Sequence, residues 1–221
     1  WHERKGAFRR LMPPWEKAEQ VGELSSLEDG TRLTFKFPMG PIKMKWIAEH
    51  SGYEPPHKFE DTMIKGPFKT WHHVHSFVET ENGTCRVDDH VEYTLPMGIL
   101  GRVFGGGNVR KRLQRMFKAR EIRLSKDTKR YNNFAHIKRK KILIAGSSGL
   151  IGRQLIAFFD TAGHDVWRLV RKEPGKNQIK WSPSDGEINA EELEGFDAII
   201  LLGGAGIGDK RWTKQRKIVL E

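Results

Sequence analysis

Between residues 17 and 95 the chain alternates apolar and polar positions in short runs that are separated by turn residues. The runs 31–37 and 42–46 each place three large apolar side chains on one face. These side chains are Leu33, Phe35 and Phe37 in the first run and Ile42, Met44 and Trp46 in the second. Alternation with a period of two is typical of β-strands that have one face in water. The pattern predicts a short helical N-terminus followed by an antiparallel sheet of about six strands.

Turn residues divide these strands. Residues 28–30, 38–41 and 55–56 mark corners, and Asn82-Gly83 is the strongest hairpin signal in the chain. A two-residue turn at Asn82-Gly83 places Ser76 opposite Asp89. The more apolar face of this hairpin, predicted to point inward, then holds His72, Val74, Ser76, Val78, Val87, Asp89, Val91 and Tyr93. On that wall the Asp89 carboxylate needs a partner such as Ser76 or a ligand.

The other face of the predicted hairpin concentrates polar side chains: His73, His75, His90, Asp88 and Glu92. Three histidines at this spacing could bind Zn²⁺ or Fe²⁺. A solvated face of cross-strand polar pairs, such as His73 with Glu92, explains the same residues without a metal. The second interpretation is favoured, so no metal ligand is assigned.

A different pattern begins at residue 140. Residues 141–145 form a short continuous apolar run, which is typical of a buried parallel strand. Helical periodicity follows and ends near Gly163, and residues 164–170 form a second apolar run. The pattern predicts a strand–helix–strand unit. Further along, the sequence predicts a loop that contains Trp181, a short helical turn over 190–193 and another buried strand over 196–202. A further helix is predicted to start at Asp209.

The turn between the first strand and the helix is glycine-rich. Its three glycines follow a Gly-x-x-Gly-x-x-Gly spacing within Gly146, Ser147, Ser148, Gly149, Leu150, Ile151 and Gly152. Gly146 allows the tight turn, Gly149 allows close approach of a pyrophosphate, and Gly152 allows close packing of helix and strand. The phosphates would bind the free N–H groups at the helix N-terminus. The context predicts a dinucleotide site, and a glycine-rich packing turn is the alternative.

The residues after the second strand bear on which dinucleotide binds. The strand ends with Arg171 and Lys172, and a basic pair suits the 2′-phosphate of NADP(H). The alternative is that both are exposed loop cations without a ligand. Glu173, a carboxylate next to them, leaves NAD(H) as a possible cofactor. The end of the next strand, at Leu202, Gly203 and Gly204, is expected to pass the adenine-ribose side of the cofactor.

The net charge of the 221 residues is +11, and it is concentrated in one segment. Residues 108–140 contain thirteen Lys or Arg and two acidic residues. Asn108 is a predicted N-cap, and one helical face holds Val109, Leu113, Met116, Phe117 and Leu124. A solvated basic face is favoured over one that binds phosphate, acidic lipid or RNA, so nucleic acid is not an expected partner.

The cysteine count, the length of the apolar runs and the two chain ends narrow the class of protein. The only cysteine, Cys85, excludes a disulfide framework and any zinc site with several thiolates. The longest apolar run, 198–202, is too short to cross a bilayer, and the opening residues show no signal-peptide pattern. A cytoplasmic protein is expected. Because the chain opens with Trp1 and ends within a helical pattern, it is expected to be a fragment at both ends.

From Trp1 to Lys126 the chain resembles the helix-grip polyketide cyclase/START-like superfamily (SRPBCC). The phrases that carry this resemblance are residues 1–4, 6–8, 13–15 and 66–68, with Trp71, His73 and the terminal helix. The strand that normally opens such a fold is missing. The resemblance implies an α+β domain in which a curved antiparallel sheet grips a long helix, and an apolar ligand in the cavity between them.

The second half resembles the epimerase-like, atypical short-chain dehydrogenases, which are often labelled nucleoside-diphosphate-sugar epimerases. The sequence motifs that carry this resemblance are residues 144–152, 169–171, 196–198 and 210–212. Some members carry a helix-grip domain before an α/β Rossmann domain. The resemblance departs at 201–205, where the family more often has Asn, Ala, Gly and Glu. The predicted division is a helix-grip domain over 1–127, a basic linker over 128–139 and an incomplete Rossmann domain over 140–221.

No catalytic residue can be assigned. Short-chain dehydrogenases use Tyr-x-x-x-Lys, but Tyr53, Tyr93 and Tyr131 all precede the glycine turn and none has Lys four residues later. The catalytic part is expected beyond Glu221. The leading hypothesis is an NADP(H)-dependent oxidoreductase or epimerase fused to a ligand-binding domain. The alternative is a non-enzymatic NADP(H) sensor that signals through the basic helix.

Overall fold

The computed structural model describes residues 1–22, 26–39, 41–204, 208 and 210–220. These residues form two compact units. One is Leu11–Ser125, and the other combines Trp1–Arg10 with Lys126–Glu221. We describe each unit by itself. Among the described residues, no helix has both the length and the apolar character needed to cross a bilayer.

The unit Leu11–Ser125 is built on a six-stranded sheet in which neighbours along the chain are also neighbours in the sheet. The strands are β1 (Glu19–Gln20), β2 (Arg32–Met39), β3 (Ile42–Glu54), β4 (Lys58–Lys65), β5 (Thr70–Glu79) and β6 (Cys85–Thr94), all paired antiparallel. Helix α1 (Ala7–Leu11) precedes the sheet and helix α2 (Gly98–Asn133) follows it. The predicted antiparallel sheet is therefore confirmed. The predicted corner at 38–41 includes Gly40, which lies outside the described residues.

Aromatic side chains from neighbouring strands fill the core of this sheet. Trp46 and Trp71 are buried and meet edge to face, with ring centroids 5.1 Å apart. Phe35 stacks on Trp46, and Leu113 of α2 packs against the same cluster. The inward faces predicted for the runs 31–37 and 42–46 are confirmed at Phe35, Phe37 and Trp46, whereas Ile42 near the start of β3 is 58% exposed.

The hairpin between β5 and β6 has a longer turn than the sequence predicted. Thr80 donates its backbone N–H to the carbonyl of Thr84, so three residues rather than two lie between the paired ends, and Gly83 takes a left-handed φ of +67°. The register therefore shifts by one residue, and His75 rather than Ser76 lies opposite Asp89. Because a one-residue shift turns a strand over relative to its neighbour, the inward face predicted for β5 is wrong, although the one predicted for β6 is right.

Helix α2 begins ten residues earlier than predicted. Met97 and Gly98 take positive φ values of 65° and 56°, which turn the chain out of β6 directly into the helix. Asn108 and the three glycines before it are therefore helical, and the predicted N-cap is wrong. The helix also continues through Asn133, so the first part of the predicted linker 128–139 is helical. The five residues predicted on one apolar face are half-buried: Val109, Leu113, Met116, Phe117 and Leu124.

Several basic side chains of α2 are held by the unit to which they belong. The guanidinium of Arg112 donates to both carboxylate oxygens of Glu16, at 3.0 and 2.6 Å. Arg115 lies over the ring of Trp15, 4.2 Å from its centroid. Lys118 contacts Glu121 on the same helix at 2.8 Å. Part of the basic face thus contacts other side chains of its own unit rather than water alone.

The other unit contains a five-stranded sheet in the order β10-β9-β8-β7-β11. Its elements are β7 (Lys141–Ala145), α3 (Leu150–Thr161), β8 (Asp165–Val170), β9 (Gln178–Ser182), β10 (Glu187–Ile188), a 3₁₀ turn (Ala190–Leu193), β11 (Ala198–Leu201) and α4 (Lys214–Leu220). β7, β8, β9 and β11 run parallel, and β10 is antiparallel to β9. This arrangement confirms the predicted strand–helix–strand unit.

The core of the parallel sheet lies on β7. Leu143 and Ile144 are fully buried, and Leu169 and Ile179 from the neighbouring strands pack nearby. Trp181, predicted in a loop, belongs to β9 and packs against this core. The last helix begins at Lys214, where the Thr213 hydroxyl accepts the backbone N–H of Arg216. The predicted start at Asp209 lies outside the described residues.

The N-terminal segment packs on α3, a contact that no pattern in the sequence predicts. A side chain on Gly6 would meet the Ala157 carbonyl at 2.5 Å, and the Gly6 N–H donates to Asp160 at 2.7 Å. Arg10 donates through Nε and Nη2 to the two carboxylate oxygens of Asp127, both at 2.7 Å. These contacts group residues 1–10 with 126–221, whereas the predicted domain 1–127 places them with the first sheet.

Candidate functional site

The turn between β7 and α3 is shaped by two glycines that the backbone itself requires. Gly146 has a φ of +73°, and a side chain there would lie 2.6 Å from the Leu202 carbonyl oxygen. A side chain on Gly152 would lie 2.3 Å from the Gly146 carbonyl oxygen. Both distances are far below van der Waals contact. The tight turn and the close helix packing predicted for these positions are therefore present.

Gly149, between them, is glycine for a different reason. It caps α3 with ordinary extended angles, φ −71° and ψ 172°, and makes no side-chain cap hydrogen bond. A side chain added there would meet only the Gly146 carbonyl, at 3.2 Å, and otherwise enter open space. The backbone angles do not demand glycine here, and the contact with the Gly146 carbonyl is tight without excluding a side chain. Glycine leaves the space in front of the helix N-terminus open.

The N-terminus of α3 suits an anion. The first N–H groups of a helix lack partners within the helix and carry the positive end of its dipole. Two apolar side chains of the first turn, Leu150 and Ile151, are 80% and 61% exposed. Ser147 and Ser148 lie in the turn beside them. A pyrophosphate with its attached ribose would bind the N–H groups and cover this apolar surface.

The ends of neighbouring strands meet the glycine turn. The Leu202 N–H donates to the Ala145 carbonyl at 3.2 Å, which brings Leu202 and Gly203 against Gly146. Arg171 directly follows β8, which pairs in parallel with β7, so it lies at the same carboxyl edge of the sheet. Arg171, Lys172, Gly203 and Gly204 are exposed. This edge thus holds all the residues that the sequence assigned to the cofactor.

A second candidate site lies in the six-stranded sheet. It consists of two histidines and two aspartates on three adjacent strands, here called the His–Asp cluster: Asp61, His73, His75 and Asp89. Asp61 lies opposite His73 in the pairing of β4 with β5, and Asp89 lies opposite His75 in the pairing of β5 with β6. His73 and His75 are only 3% and 6% exposed, and their rings are 3.8 Å apart. His90, predicted to join them, is on the opposite face with its side chain 71% exposed, beside Glu92.

Each imidazole of the cluster lies between two carboxylates. One oxygen of Asp61, Oδ2, is 3.2 Å from His73 Nδ1 and 3.2 Å from His75 Nε2. One oxygen of Asp89, Oδ1, is 3.0 Å from His73 Nε2 and 2.9 Å from His75 Nδ1. All four ring nitrogens therefore contact carboxylate oxygens. The partner that Asp89 needed on its apolar wall is the histidine pair, not Ser76.

The cluster shifts the pKa values of its members. Burial alone would raise the pKa of the Asp61 carboxyl, but hydrogen bonds from His73 and His75 outweigh burial and hold it well below its usual range. The same balance lowers the pKa of Asp89. Burial acts to lower the pKa of His73, but hydrogen bonds to Asp61 and Asp89 outweigh it and raise the value.

A cavity of about 480 Å³ adjoins the cluster through Asp89. Its walls are Val91 and Tyr93 of β6 together with Arg110, Leu113, Gln114 and Phe117 of α2. A neighbouring cavity of about 630 Å³ shares Tyr93 and Arg110 and extends along the start of α2. Apolar side chains form most of the walls of the two cavities, and Arg110 supplies a positive charge to both cavities.

Sequence reasoning missed the cluster because it joined β5 to β6 in the wrong register and did not use β4. The signal was nonetheless present. Trp71, His73, His75 and Phe77 alternate along β5 with large apolar residues at both ends, which is typical of an inward face. Asp61 likewise follows Phe59 by two residues, and Phe59 is 5% exposed.

Two family descriptions match the chain. The polyketide cyclase/dehydrase and lipid transport family matches residues 2–117, and the NAD dependent epimerase/dehydratase family matches residues 142–220. A nucleoside-diphosphate sugar epimerase from Corynebacterium glutamicum, a solved structure, aligns over 99% of this chain with a TM-score of 0.73 and 31% identity. The match covers 44% of that chain.

Curated relatives match the second half of the chain. An epimerase family protein of Mycobacterium bovis is 41% identical over 73 residues, which are 33% of this chain and 24% of that protein. A human epimerase family protein is 32% identical over 83 residues, which are 36% of this chain and 27% of that protein. The chain thus spans about a quarter of the length of these relatives.

Proposed function

Because the chain belongs to the polyketide cyclase/dehydrase and lipid transport family over residues 2–117 and carries an NAD dependent epimerase/dehydratase domain over 142–220, we propose that it binds a nicotinamide dinucleotide at the turn between β7 and α3. The observation that carries this proposal is the open space at Gly149, whose backbone angles suit any residue and whose added side chain would meet only the Gly146 carbonyl oxygen, at 3.2 Å. The pyrophosphate would lie on the first N–H groups of α3, with Ser147 and Ser148 beside it. Leu202, Gly203 and Gly204 would border the adenosine.

We further propose that the cofactor is NADP(H). Arg171 and Lys172 place two exposed cations after β8, where the adenosine ribose lies in this type of fold. Glu173, the carboxylate that would favour NAD(H), forms an ion pair with Lys180 on β9. This pairing supports NADP(H), because it engages the carboxylate that would otherwise accept from the ribose hydroxyls of NAD(H).

Arg171→Ala is expected to weaken NADPH binding by about ten- to a hundredfold, because a 2′-phosphate loses a charge-assisted hydrogen bond worth roughly 1.5–3 kcal/mol. NADH lacks that phosphate, so its affinity should change little. Fluorescence titration of the full-length protein with both cofactors measures the difference. Lys176→Ala is a matched control, since Lys176 is exposed in the same connection. If wild-type protein prefers NADH, or Arg171→Ala weakens both cofactors equally, the assignment to NADP(H) is wrong.

For the full-length protein we propose an NAD(P)-dependent oxidoreductase or epimerase reaction. Bound nicotinamide would supply hydride transfer, and the residues of this chain would bind and orient the cofactor. A non-enzymatic sensor that signals cofactor binding through the basic helix is the second candidate. A nucleotide-sugar turnover assay of the full-length protein with NADP⁺ and NADPH separates the two. Cofactor binding without turnover would favour the sensor.

We propose that residues 1–127 form a helix-grip domain that binds an apolar ligand, and that 140–221 begin the Rossmann domain. The contact of Leu113 with the aromatic core and the edge-to-face contact of Phe117 with His73, at 5.4 Å, support a helix held by the sheet. The cavities of about 480 and 630 Å³ beside α2 are of a size that suits a small molecule. The family matches at 2–117 and 142–220 support the division.

A further inference from the structure

The His–Asp cluster brings four imidazole nitrogens against two carboxylate oxygens, at N···O distances of 2.9–3.2 Å. A neutral imidazole has one N–H, so two neutral rings offer two donors to these four contacts. Two of the contacts are hydrogen bonds, His73 Nε2 with Asp89 at 3.0 Å and His75 Nε2 with Asp61 at 3.2 Å. The two rings are buried, with centroids 3.8 Å apart.

A metal ion between the rings and Asp61 would contact a nitrogen of each histidine and one carboxylate oxygen at once. His73 Nδ1, His75 Nε2 and Asp61 Oδ2 converge on one side of the histidine pair, with ligand atoms within 4.8 Å of one another. Both nitrogens are 3.2 Å from the oxygen. In a tetrahedral zinc centre with bonds of about 2.0–2.1 Å, ligand atoms are separated by roughly 3.3 Å. The spacing therefore already approximates two edges of such a centre.

Asp89 completes the arrangement on the other side. If His73 Nδ1 and His75 Nε2 bind the metal, the remaining ring nitrogens face Asp89: His73 Nε2 is hydrogen-bonded to Asp89 Oδ1 at 3.0 Å, and His75 Nδ1 lies 2.9 Å from the same oxygen. Ligating histidines in proteins usually donate their second N–H to a carboxylate, which fixes tautomer and ring orientation. Here one carboxylate would serve both rings.

The charge around the cluster is compatible with a cation. Arg120 of α2 interacts electrostatically with both Asp89 and Asp61, so one cation already faces the two carboxylates. Two carboxylates against one guanidinium leave one negative charge that a divalent ion can offset. Asp89, with a side chain 30% exposed, also lines the cavity of about 480 Å³.

We propose that Asp61, His73 and His75 bind a divalent transition-metal ion, with Zn²⁺ as the expected occupant, and that Asp89 is the acceptor that orients both histidines. Two imidazoles and one carboxylate leave at least one coordination position for water or a ligand. This site replaces the histidine set considered from the sequence, since His90 lies on the other face.

The test uses the full-length protein after treatment with a chelator. Titration with Zn²⁺ should show one equivalent bound and a rise in melting temperature, and Co²⁺ should give the visible absorption of a low-symmetry site. X-ray absorption of the zinc form should count two imidazoles and no sulfur. Failure to bind Zn²⁺ or Co²⁺ at micromolar concentration, or a spectrum that shows the Cys85 sulfur or oxygen ligands alone, would overturn the proposal.

Substitutions in and beside the His–Asp cluster test which residues bind the ion. Asp61→Asn keeps the shape of the side chain and should abolish stoichiometric binding, while Asp89→Asn should weaken it by about 10- to 100-fold. His72→Gln is the matched control, because His72 precedes His73 on β5 but pairs with Glu60 and has a side chain 40% exposed. Unchanged binding in Asp61→Asn, or loss of binding in His72→Gln, would contradict the assignment. If Asp61→Asn does not fold, the X-ray absorption of wild-type protein decides alone.

Discussion

Gly149→Val is expected to abolish binding of the nicotinamide dinucleotide while the protein remains folded. The backbone at Gly149 has angles that valine adopts readily, and its side chain would project into the open space before α3. A pyrophosphate bound to the first N–H groups of α3 would occupy that space. We expect the affinity to fall by more than about 100-fold, which corresponds to roughly 3 kcal/mol of binding free energy. Isothermal titration with NADPH and NADH measures it.

Two variants make this result interpretable. Valine is a poorer N-cap than glycine, so Gly149→Val should lose only about 1 kcal/mol of stability, visible as a small fall in melting temperature. Gly175→Val is the matched control, because a side chain there would meet only the end of Gln178, at 3.9 Å. It should bind the cofactor normally. A folded Gly149→Val protein with unchanged affinity would refute the dinucleotide site, whereas failure at Gly175→Val would point to a general effect of added bulk.

Asp127→Ala is expected to lower the free energy of unfolding by about 3–5 kcal/mol, because it leaves the Arg10 guanidinium buried without its counter-charge. The two side chains are 7% and 6% exposed and joined by two hydrogen bonds of 2.7 Å. Gln154 also accepts from Arg10, at 3.0 Å, but an amide oxygen does not replace a carboxylate. Urea denaturation of wild type and variant measures the loss.

A surface pair on the same helix provides the comparison. Lys118 and Glu121 have side chains 64% and 66% exposed, so Glu121→Ala should cost less than about 1 kcal/mol. The double variant Arg10→Met with Asp127→Leu should regain much of the stability lost in Asp127→Ala, because it leaves no unpaired charge. Equal effects of Asp127→Ala and Glu121→Ala would show that the buried pair does not hold residues 1–10 against the end of α2.

The glycine turn is the part of the candidate site that the sequence predicted best. The residues that form this turn are close together in the sequence, because the first strand, the turn, the helix and the second strand follow one another within 141–170. The spacing of the glycines is therefore enough to predict which backbone atoms meet. The structure places Gly146, Gly149 and Gly152 in three different environments, as expected from their order. It also brings Leu202 and Arg171 to the same edge, because neighbouring parallel strands end on one side.

The His–Asp cluster could not be predicted in the same way. Its geometry depends on whether two or three residues form the turn at 81–83, and on the pairing of β4 with β5. A turn one residue longer exchanges the inward and outward faces of β5 relative to β6. The local sequence Asn82-Gly83 is compatible with both turns, and the burial of Trp71, His73 and His75 selects between them.

Local periodicity and turn chemistry were thus sufficient to predict the antiparallel and parallel halves, the glycine turn and the apolar faces of β2, β6 and α2. Only the tertiary structure decided the register of β5 and β6, the full length of α2, the pairing of Arg10 with Asp127 and the convergence of Asp61, His73, His75 and Asp89. Each of these depends on residues far apart in the chain, whose meeting is set by the free energy of packing rather than by any local preference.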